Sequence, residues 1–276
     1  MIRKICPLCQ TKLTKVKNGS WRRCPTCGLV VLPKKAKSEL FYNYRIAQDL
    51  KAMGILEQAH TAYGNWQRRR LVGRYFSAGR ILDMGCGGGQ FLAGFNSKWE
   101  KYGIDLFDKP EPSMLKKISF CTQNLHDCHY PDGFFDVITA WHVLEHLDAP
   151  IKNLKEIKRI LKKDGIFILT TPCTESLGFH SAKNKWFHLD LKRHNFLYNQ
   201  SSLTGLFKAG GLKVKKIFFP GFEYPLDLFR SMGDFTRGKQ TFVLLLLSPF
   251  ILATIFVKTL ALIIKKTETV GVLGGK

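Results

Sequence analysis

Residues 81–89 read ILDMGCGGG, and this stretch decides the fold. Its apolar start is typical of a buried strand, and four glycines follow within five residues, among them Gly85, Gly87 and Gly89. Glycine lets the backbone turn tightly and lets a ligand approach the chain without meeting a Cβ atom. The stretch therefore predicts a strand, a ligand-binding turn and the start of a helix.

Strand-like and helix-like segments alternate on both sides of this turn. Strands are predicted at residues 80–84, 101–105, 118–121, 135–140, 165–170 and 212–219. Helices are predicted at residues 38–76, 90–96 and 151–161, and from residue 203 to a glycine pair at 210–211. Alternation of this kind predicts βαβ crossovers and a mainly parallel sheet covered on both faces.

Two acidic residues accompany the glycines. Asp83 lies two positions before Gly85, where a carboxylate suits a cationic amino group and would repel a pyrophosphate. Asp105 ends the next predicted strand, where an acid accepts hydrogen bonds from both hydroxyls of a ribose. A nicotinamide-dependent oxidoreductase is the alternative at this site, but its G-x-G-x-x-G pattern needs a glycine where Gln90 stands.

On these motifs and a third block at residues 124–147, the chain resembles the class I S-adenosylmethionine (SAM)-dependent methyltransferases over residues 60 to 220. The resemblance implies an α/β fold with a Rossmann-like, mainly parallel seven-stranded sheet. The cofactor-binding residues that it implies are Asp83, Gly85, Gly87, Gly89, Asp105, Leu106, Asn124, Leu125 and Trp141. Asn124 stands where the family usually carries an adenine-binding aspartate, so a neutral amide would replace a charged contact.

Residues 141–146 read WHVLEH and follow the fourth predicted strand, the position that faces the methyl group in this fold. His142 is the first choice for a general base, because neutral imidazole takes a proton near pH 7. Alternatively, His142, Glu145 and His146 share a helical face and bind a divalent metal that polarises a hydroxyl. A third interpretation is that the segment only stabilises the start of a helix.

Residues 188–196 read HLDLKRHNF and resemble the R-H-x-x-x-F/Y segment of small-molecule and glycan methyltransferases. Arg193 suits bidentate binding of a phosphate or carboxylate, and His194 is an alternative base. The predicted catalytic residues are thus His142, Arg193 and His194. The competing interpretation is a solvated, charged loop.

Near the N-terminus, four cysteines form two C-P-x-C pairs: Cys6, Cys9, Cys24 and Cys27. Two such pairs supply the four thiolates of a tetrahedral structural zinc site. The segment resembles the zinc-binding lead-in of bacterial methyltransferases that act on sugars or lipid-linked glycans, and a similar ribbon precedes some ribosomal RNA methyltransferases. Scattered positions for the remaining cysteines, Cys86, Cys121, Cys128 and Cys173, are typical of a reducing compartment.

The net charge of +22 belongs to the two ends of the chain and not to its centre. Basic flanks indicate an anionic partner, either nucleic acid or a membrane. Residues 242–257 read FVLLLLSPFILATIFV between cationic residues, which favours an anionic membrane surface. For RNA, the less favoured partner, residues 68–70 would contact phosphates while Tyr63 and Trp66 stack on bases.

The predicted organisation has four parts: a zinc ribbon (1–36), a helical lead-in (37–76), a SAM-binding methyltransferase domain (77–220) and a C-terminal, membrane-associating apolar helical region (221–276). The absence of an apolar segment in residues 1–10 predicts a cytoplasmic protein. The predicted function is O-methylation of a small-molecule, glycan or lipid-linked acceptor at the inner face of the cytoplasmic membrane. Ribosomal RNA methylation and non-catalytic SAM binding are the alternatives.

Overall fold

The computed structural model describes residues 3–16, 19–33, 55–106, 116–220, 259–262 and 265–276 of the 276-residue chain. Its strands are β1 (Thr14–Lys15), β2 (Arg22–Arg23), β3 (Val30–Val31), β4 (Gly79–Met84), β5 (Trp99–Ile104), β6 (Ser119–Cys121), β7 (Phe135–Trp141), β8 (Leu161–Pro172), β9 (Phe196–Leu197), β10 (Lys213–Phe218) and β11 (Thr269–Gly275). Its α-helices are α1 (Ile55–Gly73), α2 (Gln90–Ala93), α3 (Pro150–Ile160), α4 (Leu177–Ala182) and α5 (Gln200–Ala209). Short 3-10 turns cover Leu125–Cys128, Leu144–His146 and Lys183–Lys185.

A seven-stranded sheet forms the centre, in the order β10-β11-β8-β7-β4-β5-β6. The strands from β8 to β6 are parallel, whereas β11 pairs antiparallel with both β8 and β10. Phe135, Val137 and Ile138 of β7 are fully buried, as expected of a parallel sheet that is covered on both faces. The predicted Rossmann-like, mainly parallel seven-stranded sheet is confirmed.

The chain changes direction across this sheet at β4. After β4 it continues outward through β5 and β6, and it then returns to place β7 on the other side of β4. The carboxyl ends of β4 and β7 therefore border a crevice, the place where open α/β sheets bind ligands. The glycines after β4 lie at this crevice.

Most predicted elements are present with shifted ends. β8 begins at Leu161 rather than at residue 165, and α2 ends at Ala93 rather than at residue 96. α2 stops before Gly94, where a Cβ atom would lie 2.4 Å from the guanidinium carbon of Arg69 on α1. The long helix predicted from residue 38 is seen from Ile55 as α1, and residues 34–54 lie outside the described residues.

The prediction that residues 221–276 form one apolar helical region is wrong at its end. β11 inserts between β8 and β10 and so belongs to the central sheet. Its glycines make room for aromatic rings, since a Cβ atom at Gly271 would lie 2.2 Å from Phe218 Cζ. A glycine-rich segment lacks the β-branched and aromatic side chains by which strands are predicted. In β11, side chains of neighbouring elements fill the space that those side chains would take.

The apolar run at residues 242–257, on which the membrane prediction depends, lies outside the described residues. Within the part of the chain that the structure describes, no helix has both the length and the apolar character needed to cross a membrane.

The N-terminal module is joined to the large domain by a shared sheet. β1, β2, β3 and β9 form a four-stranded antiparallel sheet, in which β9 comes from the large domain. Val30 pairs with Leu197 and Val31 with Phe196, and all four side chains are buried. The predicted ribbon is therefore built into the domain rather than tethered to it.

One pair of the scattered cysteines is joined, although their positions in the sequence are typical of a reducing compartment. Cys121, the last residue of β6, forms a disulfide with Cys128, the last residue of the following 3-10 turn. Cys86 and Cys173 are buried thiols. The disulfide closes the short loop that carries Asn124 and Leu125.

Candidate active site

The glycine turn after β4 has the backbone conformation that its sequence predicts. Gly85, Gly87 and Gly89 have φ values of 69°, 50° and 82°, in the left-handed region that favours glycine. A Cβ atom at Gly85 would also lie 2.4 Å from Val143 Cγ2. The turn is thus a cradle in which any larger residue at position 85 would displace its neighbour.

Asp83 lies beneath this cradle and is almost completely buried. Thr139 of β7, its register partner, donates a hydrogen bond of 2.6 Å from its hydroxyl to the carboxylate. Burial raises the pKa of Asp83 to about 7, against the lowering effects of Thr139 and of the Arg68 charge. A buried carboxylate with this pKa favours a cationic ligand, because the positive charge would stabilise its ionised form.

Asp105 connects the glycine turn to β6. Its carboxylate accepts a hydrogen bond of 2.9 Å from the Gly87 amide, and its own amide donates to the Cys121 carbonyl. Both contacts fix the acid at the carboxyl end of β5, the position predicted for a ribose-binding residue. One carboxylate oxygen of Asp105 thus holds the glycine turn in place.

Asn124 and Leu125 begin the 3-10 turn beside this acid. Leu125 is buried, and the Asn124 side-chain amide donates to the carboxylate of Asp127 at 3.2 Å. That bond uses the amide nitrogen and leaves the amide oxygen as the acceptor for an exocyclic amine. Asp127 thus places a carboxylate three residues after the position where the family usually has one.

Trp141, at the end of β7, lies between the cofactor side and α1. The Arg68 guanidinium lies over its ring at 5.0 Å from the centroid, and Phe91 meets it edge to face. Leu106, by contrast, is 46% exposed. The structure therefore packs Trp141 against α1 and α2 and leaves Leu106 largely exposed, and the cofactor-binding role of both residues stays a prediction.

The segment after β7 does not form the helix on which the shared face of His142, Glu145 and His146 was predicted. His142 has a φ of 57°, and a single 3-10 turn, Leu144–His146, follows it. The Nδ1 atom of His142 lies 3.5 Å from Glu145 Oε1. The ring of His146, by contrast, packs edge to face against the ring of His194, with 4.7 Å between the ring centroids. Because the backbone is left-handed at His142, His142 and His146 do not share one helical face.

Glu145, His146 and His194 instead form a compact cluster. One ligand atom from each lies within 4.8 Å of the others, and the Glu145 side chain is 1% exposed. Thr171 of β8 donates a hydrogen bond of 3.0 Å to Glu145 Oε2. Burial opposes ionisation, but the His142 hydrogen bond and the neighbouring histidines hold the pKa of Glu145 near 2. The carboxylate is therefore ionised at neutral pH.

Both histidines of this cluster are oriented through Nδ1. His146 Nδ1 lies 3.1 Å from the Arg193 carbonyl, and His194 Nδ1 lies 2.9 Å from the His188 carbonyl. Because a carbonyl only accepts, each Nδ1 carries the hydrogen, and in the neutral ring Nε2 is then the nitrogen with the lone pair. Burial lowers the pKa of His194 to about 4, so its imidazole is neutral at pH 7.

Arg193, which is predicted to bind a phosphate or carboxylate, is paired with a neighbouring residue of the chain. Its guanidinium forms an ion pair with Asp190, and its carbonyl accepts from His146. A phosphate or carboxylate of an acceptor would therefore compete with Asp190 for this guanidinium.

The four N-terminal cysteines converge as predicted. The Sγ atoms of Cys9 and Cys24 lie 3.4 Å apart, those of Cys6 and Cys27 3.7 Å, and those of Cys9 and Cys27 3.8 Å. Four thiolates at 2.3 Å from a tetrahedral zinc would lie about 3.8 Å from one another. The donor set and its spacing fit this metal.

Three further residues, which no motif in the sequence marks, hold the site together: Thr139, Thr171 and Asn195. Each forms hydrogen bonds to a predicted site residue or to its neighbour from a distant part of the chain. Thr139 and Thr171 stand near the carboxyl ends of predicted strands, which is the one signal that the sequence offers for them. Their partners depend on strand order, which the sequence does not state.

Comparison with known proteins agrees with this geometry. A family model described as a methyltransferase domain matches residues 57–217, more than half of the chain. A ubiquinone biosynthesis O-methyltransferase of Glaesserella parasuis is 28% identical over 138 residues, covering 45% of this chain and 56% of that protein. The mitochondrial ubiquinone biosynthesis O-methyltransferase of Saccharomyces cerevisiae is 36% identical over 107 residues, covering 33% of each. The match thus spans about a third to just over half of the length of these two relatives.

Solved structures show the same fold. A SAM-dependent methyltransferase from Archaeoglobus fulgidus is 20% identical, with 85% of this chain and all of that chain covered and a TM-score of 0.53. Phosphoethanolamine N-methyltransferase 2 of Haemonchus contortus is 16% identical, with 76% of this chain and 52% of that chain covered and a TM-score of 0.52. Together with the glycine cradle, the family match over more than half of the chain shows that this chain belongs to the methyltransferase-domain family.

Proposed function

We propose that this methyltransferase transfers the methyl group to an oxygen of a small-molecule, glycan or lipid-linked acceptor, with the help of a divalent cation at Glu145, His146 and His194. The observation that carries the proposal is the orientation of the two histidines. Each has its Nδ1 hydrogen bonded to a backbone carbonyl, which leaves Nε2 as a ligand. Histidines that bind metals show this arrangement.

The cofactor side fits SAM through three features of the chain. The cradle at Gly85 has no room for a side chain, Asp83 offers a buried carboxylate to the ammonium group, and Asp105 lies where ribose hydroxyls would bind. When bound, SAM supplies an electrophilic methyl group. The chain needs only to align the acceptor, exclude water and remove the proton of the acceptor hydroxyl.

The acceptor side fits a first-row divalent cation such as Mn²⁺, because carboxylate and imidazole donors both occur there. A cation at this position would lower the pKa of a bound hydroxyl. His142, 3.5 Å from Glu145, lies beside the cluster and is the proposed group that takes the proton. An amine acceptor in its neutral form would not need this activation, since its nitrogen already carries an available lone pair.

Manganese titration of the purified protein tests the cluster directly, with the bound ion followed by electron paramagnetic resonance. His194→Ala and Glu145→Gln should each weaken Mn²⁺ binding at least about tenfold, the loss of one ligand from three. His180→Ala, an exposed histidine on α4, is the matched control and should bind Mn²⁺ like the wild type. Unchanged binding in both cluster variants would contradict the metal proposal.

The proposed acceptor and location rest on the sequence and on relatives. Two of the relatives are named for O-methylation in ubiquinone biosynthesis. The apolar run at 242–257, between cationic residues, supports attachment to the inner face of the cytoplasmic membrane. Fractionation tests it: recovery of the full chain wholly in the high-speed supernatant would contradict membrane attachment.

A structural zinc at Cys6, Cys9, Cys24 and Cys27 is also part of the proposal. The sulfur spacings support it, and all four tetrahedral positions would be filled by protein. Metal analysis should find one zinc per chain, and none in a variant with Cys6 and Cys9 both changed to serine. Zinc-free wild-type protein that is fully folded would contradict this assignment.

RNA methylation is the second candidate, because one surface favours it. Tyr63 and Trp66 on α1 are about half exposed, their rings stack at 5.7 Å, and the Arg70 guanidinium lies 5.4 Å from the Trp66 centroid. Exposed aromatic rings beside arginines suit stacking on unpaired bases. Methyl transfer into nuclease-sensitive material would favour this function over the first.

A further inference from the structure

Asn195 touches both arms of the proposed metal cluster. Its backbone amide donates to the Glu145 carbonyl at 2.8 Å, and its side-chain Nδ2 donates to the His146 carbonyl at 2.7 Å. The same Nδ2 lies 3.3 Å from Asp148 Oδ1. Asn195 also follows His194 directly in the chain. One residue therefore links the turn that carries two ligands to the loop that carries the third.

The third polar group of Asn195 faces the N-terminal module. Its carbonyl accepts a hydrogen bond of 3.0 Å from the Leu32 amide, just beyond the β3–β9 pairing. The loop that bears His194 is thus anchored on one side to the cysteine-containing sheet and on the other to the Glu145–His146 turn. Displacement of Asn195 would change the distance between the two arms.

We propose that Asn195 is a positioning residue, which sets the separation of His194 from Glu145 and His146 and thereby the geometry of the cation site. The inference rests on the proposed function of that cluster, but Asn195 itself touches no acceptor and no cofactor residue in the described structure. Its side chain acts through the amide nitrogen, which donates a hydrogen bond to the His146 carbonyl.

The isosteric variant Asn195→Asp separates positioning from charge. Aspartate keeps the size of the side chain and both backbone hydrogen bonds, but it places an acceptor against the His146 carbonyl, where two oxygens repel. Added negative charge near a cation site would by itself strengthen Mn²⁺ binding. Positioning predicts the opposite result, a weakening.

Manganese titration and histidine-ring nitrogen NMR of the full chain test the proposal. In Asn195→Asp, Mn²⁺ affinity should fall about tenfold, or about 1.4 kcal/mol, while SAM affinity stays within about twofold of the wild type. The ring signals of His146 and His194 should shift. Asn153→Asp is the matched control, since the Asn153 side chain also donates to a carbonyl, that of Ala149 at 3.0 Å, on α3. It should leave both readouts unchanged.

The outcomes separate this inference from the proposed function. Equal or tighter Mn²⁺ binding by Asn195→Asp, with unshifted histidine signals, would overturn the role of Asn195. If the wild type binds no Mn²⁺, the cation assignment fails, and the ring signals alone decide. Shifts at both histidines in Asn195→Asp, absent in Asn153→Asp, would then support positioning, and unshifted signals would overturn it. Should Asn195→Asp not fold, Asn195→Ser is measured in the same way.

Discussion

The Leu32 amide donates a hydrogen bond of 3.0 Å to the Asn195 carbonyl, across the junction between the N-terminal module and the methyltransferase domain. Asn195 is adjacent to His194, and β9 begins one residue later. A module that precedes a catalytic domain is often considered a separate recognition unit. Here its last strand, β3, pairs with β9 and so supports the loop on the acceptor side.

Loss of the cysteine cluster should therefore impair the acceptor side and spare the cofactor side. Cys27→Ser removes one of the four thiolates, and we expect methyl transfer to fall at least about tenfold while SAM binding changes less than about threefold. Calorimetry with SAM and a transfer assay on a cell extract measure the two effects. Thr26→Ala, in the same knuckle, keeps all four thiolates and is the control. Equal loss of SAM binding and transfer would contradict a role confined to the acceptor side.

Replacement of Gly85 should abolish cofactor binding, because two costs add at this position. Alanine there adopts a left-handed conformation, at roughly 1–2 kcal/mol, and its Cβ atom lies 2.4 Å from Val143 Cγ2. Gly133→Ala is the matched control, since Gly133 also has a positive φ, 60°, and the methyl group of an alanine there would meet no atom within 4 Å. Calorimetry should show SAM binding lost only in Gly85→Ala. Similar binding by the two variants would show that the cradle is not required.

SAM affinity should depend on pH through Asp83. Burial raises its pKa to about 7, so the free protein carries a protonated Asp83 at pH 6, and binding of the ammonium group must release that proton. Affinity should therefore rise several-fold between pH 6 and pH 7.5. Asparagine at this position does not titrate, so Asp83→Asn should show only the pH dependence of SAM itself. Parallel pH profiles of the two proteins would contradict the assignment.

The same shift has a consequence for the stability of the free protein. The folded state holds the Asp83 proton more tightly than the unfolded chain, so this residue's contribution to stability falls as pH rises from about 4 through about 7. Thermal unfolding without SAM should show Asp83→Asn gaining stability relative to the wild type from pH 5 to pH 8. A constant difference across this range would argue against the raised pKa.

The central fold followed from the sequence because its signals are local. A glycine turn after an apolar strand, and the alternation of helices and strands, are properties of adjacent residues, and they predicted β4 and its neighbours closely. β11 was not predicted because its glycines have no side chains, and the space beside them is occupied by Phe207 and Phe218 from other elements. The pairing of Cys121 with Cys128 likewise requires that the loop between them folds back.

The acceptor side was less predictable because it depends on contacts between distant segments. His142, Glu145 and His146 follow a helical spacing in the sequence, yet the left-handed backbone at His142 breaks that spacing. His194 replaces His142 in the cluster, since the β9 loop brings it there from 48 residues away. Sequence spacing identified the residue types but not which of them meet.

Reduction of the Cys121–Cys128 disulfide should weaken SAM binding. The bond closes the loop that carries Asn124 and Leu125, and the Cys121 carbonyl accepts a hydrogen bond from the Asp105 amide. Opening an eight-residue loop restores chain entropy worth about 2.5 kcal/mol in the simplest treatment, part of which would oppose ordering of the pocket. Calorimetry of oxidised and reduced protein measures this effect. Cys128→Ser should match the reduced wild type and respond no further to reductant; a reductant effect of the same size in Cys128→Ser would exclude the disulfide as its cause.

Transfer of a carbon-13 methyl group from SAM to an extract of the producing cells tests the central claim most directly. The acceptor is separated into lipid, glycan and RNA fractions, and the carbon-13 NMR spectrum of the labelled fraction identifies the atom that received the methyl group. We predict a methoxy signal in the lipid or glycan fraction that depends on Mn²⁺ and is lost in Glu145→Gln. An N-methyl signal, or a methoxy signal unaffected by removal of the cation and by Glu145→Gln, would contradict the account.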